Sequence, residues 1–342
     1  EDTMKLFQRL LVAPAALGLM APVAANADTA FSPTTKLSGA AVFTAGTVSD
    51  GGTADNEEEL YMQYAYGLEI TSSFTGQDLF YAGIEAGNAS GPLANLDNTS
   101  DVGDSLKVTS LFYEFPVGDL SVTTGPLVDQ DDVVAATPSA YAGAFRLSAM
   151  PFSLAGDETG PGIGVTYSAD NGIVASASYV SVGGSNSSQG FSGDAGDDVA
   201  TLTFGYDGEG FGGGIVVATN DGGDTTTTAG YDTFGAGIYY SPESFPATIS
   251  VAYDSKDPEA GNDSSDWFVG IEYEVGPGLL SLAYNTTDVE NGSADDQTGM
   301  EIAYSYAIND HITITPGFFT VEETTAGQDD DKGAFIETVF SF

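Results

Sequence analysis

The chain carries 50 acidic residues against 7 basic ones, with one histidine and no cysteine. Those residue types bound the chemistry. A Ser-His-Asp nucleophile needs an imidazole beside a hydroxyl, and the only imidazole, His311, falls in a short connection between two alternating runs. One histidine cannot build a His-based metal site, and the sequence supplies no thiolate. Two carboxylates can cleave a glycosidic bond at the right spacing, but a chain this acidic offers many chance pairs. The sequence predicts no enzyme. Asp129-Gln-Asp-Asp132, Asp221-Gly-Gly-Asp224 and Asp329-Asp-Asp331 supply hard oxygen ligands, yet none completes an EF-hand loop. They read as solvated acidic loops without a cofactor, with weak Ca²⁺ or Mg²⁺ binding as the alternative. Nucleic acid is not expected as a partner, because a net charge of −43 repels phosphates.

A second set of acids is defined by spacing. Glu272 and Glu274 alternate with Trp267, Val269, Ile271 and Tyr273. Glu69 opposes Leu60, Met62, Tyr64, Tyr66, Leu68 and Ile70; Glu301 opposes Met300, Ile302, Tyr304, Tyr306 and Ile308. A period of two is that of a strand. One continuous apolar face with acids on the other is the pattern of a strand standing between lipid and water. A basic group facing lipid costs roughly 2–4 kcal/mol near the midplane, and an acid less. The apolar parity is therefore assigned to lipid and the glutamate parity to a lumen. The lumen candidates are Glu69, Glu85, Glu114, Asp254, Glu272, Glu274, Glu301 and Glu337.

The elements that must position them read as sixteen strands, near 36–48, 58–73, 78–87, 104–116, 119–127, 160–169, 172–182, 198–207, 210–219, 230–241, 245–255, 265–275, 278–287, 298–308, 311–321 and 332–342. Gly, Thr, Tyr, Val and Phe in short alternating runs favour strands throughout. The connections alternate between short turns and long loops rich in Asp, Gly, Ser and Thr. That alternation, with an even strand count, predicts an all-β, up-and-down antiparallel barrel crossing an outer membrane, both termini on the short-turn side. The final strand places Phe340 and Phe342 on its apolar parity, which reads as an assembly signal for barrel-insertion machinery. Residues 4–27 read as a removable secretory signal: Lys5 and Arg9, an apolar stretch from Leu10 to Met20, and Ala25-Asn-Ala27. A short periplasmic lead, 28–35, precedes the barrel, 36–342.

One connection departs from the others. The third long loop, from Val128 to Thr159, holds Tyr141, Phe145, Leu147, Met150 and Phe152 with Pro138 and Pro151. Apolar anchors in so long a loop predict a functional segment folded into the barrel. Its charged residues, Asp129, Asp131, Asp132, Arg146, Asp157 and Glu158, are the constriction candidates. Lys107 joins the Glu114 face only if the fourth strand contains a bulge, since their separation is odd.

The signal Met-Lys-Leu-Phe-Gln-Arg-Leu-Leu-Val-Ala-Pro-Ala-Ala-Leu-Gly, residues 4 to 18, and Phe31-Ser-Pro-Thr-Thr-Lys-Leu-Ser-Gly39 resemble cyanobacterial outer-membrane porins of the iron-uptake family, relatives of the carbohydrate-selective porins. Such porins usually carry an S-layer-homology domain before the barrel, which only residues 28–35 could occupy here. The resemblance implies a homotrimer passing small solutes or ions. The expected function is passive diffusion of inorganic ions, with a cation preference, and of small hydrophilic solutes. The partners are then outer-membrane lipid and those solutes. The alternatives are a sugar-selective porin, with aromatics such as Tyr141 and Phe145 along the path, and a barrel acting as a structural or surface receptor protein.

Overall fold

The computed structural model describes residues 34–49, 59–136, 138–141, 158–193, 196–223, 229–289, 296–322 and 330–342. The signal, Arg146 and Asp157 lie outside these residues. Sixteen strands form one sheet: β1 Thr35–Ser49, β2 Tyr61–Ser72, β3 Leu79–Gly87, β4 Gly103–Val117, β5 Leu120–Asp129, β6 Thr159–Ser168, β7 Ile173–Ser181, β8 Asp198–Gly208, β9 Phe211–Asn220, β10 Tyr231–Tyr240, β11 Ala247–Pro258, β12 Ser264–Val275, β13 Gly278–Val289, β14 Gln297–Asn309, β15 Ile312–Val321 and β16 Asp331–Ser341. Each pairs antiparallel with its sequence neighbours, and β1 pairs with β16 to close the barrel. Closure leaves no sheet edge, which is the condition for a β-structure to stand in hydrocarbon. The last residue completes the seam: Gly39 N–H donates to the Phe342 carbonyl at 2.9 Å and Phe342 N–H donates to the Gly39 carbonyl at 3.0 Å.

The two faces separate as the spacing predicts. On β12, Trp267 is 54% exposed, whereas Phe268 and Glu272 are 3% and 7% exposed. On β14, Ile302 is exposed and Glu301 buried. Aromatic pairs flank the outer apolar band. Tyr253 and Trp267 meet at 4.8 Å towards the long loops; Tyr206–Phe211 at 5.1 Å and Phe245–Tyr273 at 5.8 Å lie by the short turns. Amphipathic rings favour the interface between headgroups and hydrocarbon.

Short and long connections alternate around most of the barrel; the exception is β11–β12, where the extension of β11 leaves only residues 259–263. The shortest turns use glycine where the backbone goes left-handed, at Gly118 (φ 64°) and Gly276 (φ 60°). β4 is irregular: Gly83 pairs with Ser110 but Ile84 pairs with Val108, so Thr109 is an extra residue. The register beyond it sets Lys107 opposite Glu85. The bulge thus brings Lys107 to the face that carries Glu114.

Candidate functional site

The barrel interior is the concave surface on which the spaced acids converge. Six of them occupy buried inner positions: Glu69, Glu85, Asp254, Glu272, Glu301 and Glu337. Glu114 lies on the same face of β4, half-buried opposite Leu79 of β3 and Thr123 of β5. Glu274 is exposed at the short-turn end of β12. The inner acids are not bare. Ser38 Oγ donates to Glu69 Oε2 at 3.2 Å and Thr109 Oγ1 to Glu85 Oε1 at 3.3 Å. Asn98 Nδ2 donates to Glu337 Oε1 at 2.6 Å, and the Tyr141 hydroxyl to Glu301 Oε1 at 3.0 Å. Asp254 pairs across the ladder with Asp266, an inner acid that spacing alone did not single out. Two carboxylates directly opposite repel each other.

The third long loop begins at β5 with one turn of 3-10 helix, Gln130–Val133. Asp129 caps it. Its Oδ1 accepts from Asp131 N at 2.9 Å, Asp132 Oδ2 accepts from Asp129 N at 2.9 Å, and Thr159 Oγ1 donates to Asp129 Oδ2 at 2.8 Å. Gln130 N donates to the Glu158 carbonyl at 3.0 Å, tying the two ends of the loop together. Asp129 is fully buried (0% exposed), while Asp131, Asp132 and Glu158 are half-buried. The geometry of Asp129 and Asp132 is therefore that of a cap holding the root of the loop.

From this root the described chain runs along the inner wall. Gln130 Nε2 donates to Thr201 Oγ1 on β8 at 2.7 Å. Ala135 N donates to Ser176 Oγ on β7 at 3.1 Å, and Ala140 N to Ser250 Oγ on β11 at 3.1 Å. Tyr141 then meets Phe268 of β12 edge-on at 5.3 Å and reaches Glu301 on β14. The wall makes room with glycine. A Cβ at Gly214 would stand 2.5 Å from Ala136 Cβ, and one at Gly270 would stand 2.5 Å from Tyr141 Cδ2. Small inner residues thus form a track, and hydroxyls along it satisfy loop amides that would otherwise be buried unpaired.

The second long loop also turns inward, which the sequence reading did not anticipate. Leu93 and Leu96 are buried in an apolar cluster with Val48, Phe319 and Phe335. The available signal was Pro92-Leu-Ala-Asn-Leu96, two leucines in an otherwise polar loop, the same kind of anchor that marks the third loop. Other expected sites stand apart from the interior. Phe340 contacts Phe43 at 5.2 Å and Phe342 stacks on Tyr66 at 6.3 Å, both on the outer face. The His311 ring lies 3.0 Å from the Ser341 carbonyl, beside a short turn. Among the described residues, no group of three or more acidic or imidazole side chains is arranged to hold a metal ion.

A family model described as Gram-negative porin matches residues 13–327. No curated protein matches the sequence. Among solved structures, a loop-deletion variant of OmpT, an outer membrane protein of Vibrio cholerae, superposes with a TM-score of 0.64 at 15% identity, covering 90% of this chain and 99% of that one. A multiply substituted porin of Rh. blastica superposes with a TM-score of 0.63 at 15% identity, covering 90% of this chain and 100% of that one. A triple mutant of the Rhodopseudomonas blastica porin gives 0.60 at the same identity and coverage of this chain. At that identity the structural likeness establishes the fold.

Proposed function

Because the chain belongs to the Gram-negative porin family and is an integral outer-membrane barrel, we propose that its passive diffusion path prefers cations and carries inorganic ions and small hydrophilic solutes. The observation that carries this reading is the acid count of the inner wall. Five buried carboxylates face inward, from Glu69 on β2 to Glu301 on β14, with Glu337 of β16 covered by Asn98, while the basic residues of the described barrel are Lys36, Lys107, Lys256 and Lys332. A carboxylate within about 4 Å of a passing cation contributes on the order of 1–4 kcal/mol, depending on how far water screens it. Low-dielectric walls concentrate that field along the path.

The third loop supports the same reading. Its described residues lie along the wall from β6 to β14, which supports a reading in which this loop narrows the path. Asp131, Asp132 and Glu158 flank its root; the other charged candidates of this loop, Arg146 and Asp157, lie outside the described residues. Sugar selectivity is less well supported, because a sugar path needs an exposed aromatic face: Tyr141 is 3% exposed against Phe268, and the other aromatic candidate, Phe145, lies outside the described residues. A homotrimer is the assembly we propose, as the resemblance implies. The cyanobacterial, iron-uptake affiliation rests on the two short motifs at residues 4–18 and 31–39, and removal of residues 4–27 on the Ala-Asn-Ala site. We assign the barrel no catalytic role and no cofactor.

The test is reconstitution of the purified barrel. Stepwise ion conductance in a planar bilayer, together with swelling of liposomes in small sugars, is the expected result. A folded barrel that passes neither ions nor sugars would refute the diffusion reading in favour of a structural or receptor role.

A further inference from the structure

The described residues of the third loop lie along the inner wall from β6 to β14, and a second segment lies on the wall formed by β15, β16, β1 and β2. That segment is the second long loop, residues 88–102. Leu93 and Leu96 are 0% and 1% exposed, seated against Val48 of β1, Phe319 of β15 and Phe335 of β16. The backbone is pinned on both sides of Leu93. Gln63 Nε2 donates to its carbonyl at 2.9 Å, and its amide donates to the Tyr61 hydroxyl at 2.8 Å. The turn is closed internally by Thr99 Oγ1, which lies 2.6 Å from the Ala94 carbonyl and 2.8 Å from the Leu96 carbonyl. Finally Asn98 Nδ2 donates to Glu337 Oε1 at 2.6 Å, a buried bond to a carboxylate.

We propose that residues 88–102 form a second inward insert, seated on the wall that continues from the third loop's described end at Tyr141, which narrows the diffusion path and sets the largest solute that passes. This rests on the diffusion reading given above. Apolar burial supplies the attraction but is non-directional. The Asn98–Glu337 bond supplies the register, since an amide aimed at a buried carboxylate is satisfied in one position only. Asn98 and Glu337 are therefore positioning residues. A loop clasping a neighbouring subunit would present its leucines outward; here both are already taken by the loop's own barrel.

The sequence contains no cysteine, so Asn98→Cys and Leu93→Cys provide single reporters. On intact cells both should resist a bulky membrane-impermeant maleimide, and both should label once the barrel is heat-denatured. Replacing residues 90–100 with a short Gly-Ser linker should raise single-channel conductance on the order of twofold, since pore width governs passage, and should admit larger sugars in liposome swelling. Asn98→Ala should raise the sugar exclusion limit in the same direction with wild-type levels of heat-modifiable barrel. Rapid labelling of both cysteines on the folded barrel would overturn the proposal. So would a linker variant with unchanged conductance and exclusion limit but a lowered subunit-dissociation temperature, the signature of an outward clasp. A silent wild type whose linker variant conducts would support the insert and refute the open path. Silence of both would refute the two together.

Discussion

Gly214 and Gly270 carry hydrogen where any other residue would drive a carbon into the third loop, at 2.5 Å from Ala136 and from Tyr141 respectively. Gly214→Val should therefore lift the loop from the wall. Overpacking of this kind costs about 1–3 kcal/mol, read as a lower temperature of heat modification in detergent, together with altered conductance. Unchanged values of both would show that the loop is not seated there. Glu301 separates two contributions that spacing alone cannot. Glu301→Gln keeps an acceptor for the Tyr141 hydroxyl but removes the charge, so heat stability should hold while cation preference falls. Glu301→Leu removes both and should also destabilise, by roughly 1–3 kcal/mol for a buried hydroxyl left unpaired. Stability scans and bilayer recordings on the two variants check this. The sequence shows which face carries Glu301 and Glu337, because parity is local. It does not show what they bind, because Tyr141 and Asn98 lie 160 and 239 residues away in the chain. Likewise loop position marks Asp129 and Asp132 as constriction candidates but does not show that their hydrogen bonds also cap the loop's first turn.

At the scale of elements, the strands were legible nearly to the residue, since lipid enforces strict alternation and turns interrupt it at regular intervals. β11 runs to Pro258, past the expected 255, because Asp257 and Pro258 keep pairing with Asp232 and Tyr231 above the apolar band, where hydropathy no longer marks the strand. The turn between β2 and β3 has its own electrostatics. Burial raises the pKa of Asp78, but hydrogen bonds from the Tyr113 hydroxyl, the Thr75 amide, Ser73 and the Thr75 hydroxyl outweigh it and hold the carboxyl below its usual range. A depressed folded pKa means stabilisation that is complete above the unfolded value of about 3.9 and lost as pH falls towards the folded value. Heat modification should thus become acid-sensitive below about pH 4, and Asp78→Asn should flatten that dependence. An unaltered acid profile in the variant would remove Asp78 from the account. At the seam, Phe342 supplies two backbone bonds to β1 and a ring on Tyr66. Deleting it should reduce the amount of heat-modifiable barrel in cells, while the conductance of barrels that do form is retained. Unchanged barrel levels would contradict this.

For the whole molecule, the net charge of −43 acts in two places. Acids at the long-loop end of the barrel, such as Asp330 and the first residue of β16, Asp331, are screened beyond about 8 Å at physiological ionic strength; they enrich cations at the mouth in dilute solution only. Acids of the inner wall lie among buried groups and are screened far less. The measurement that separates them is the zero-current potential of single channels across a potassium chloride gradient, taken in dilute and in molar salt. The wild type should show the sign of cation flow in both. Combined Glu85→Gln, Glu272→Gln and Glu301→Gln should move the potential towards zero in both, whereas Asp330→Asn with Asp331→Asn should move it in dilute salt alone. A wild-type potential of the opposite sign, reporting anion flow, would contradict the assignment of the inward carboxylates to the conduction path.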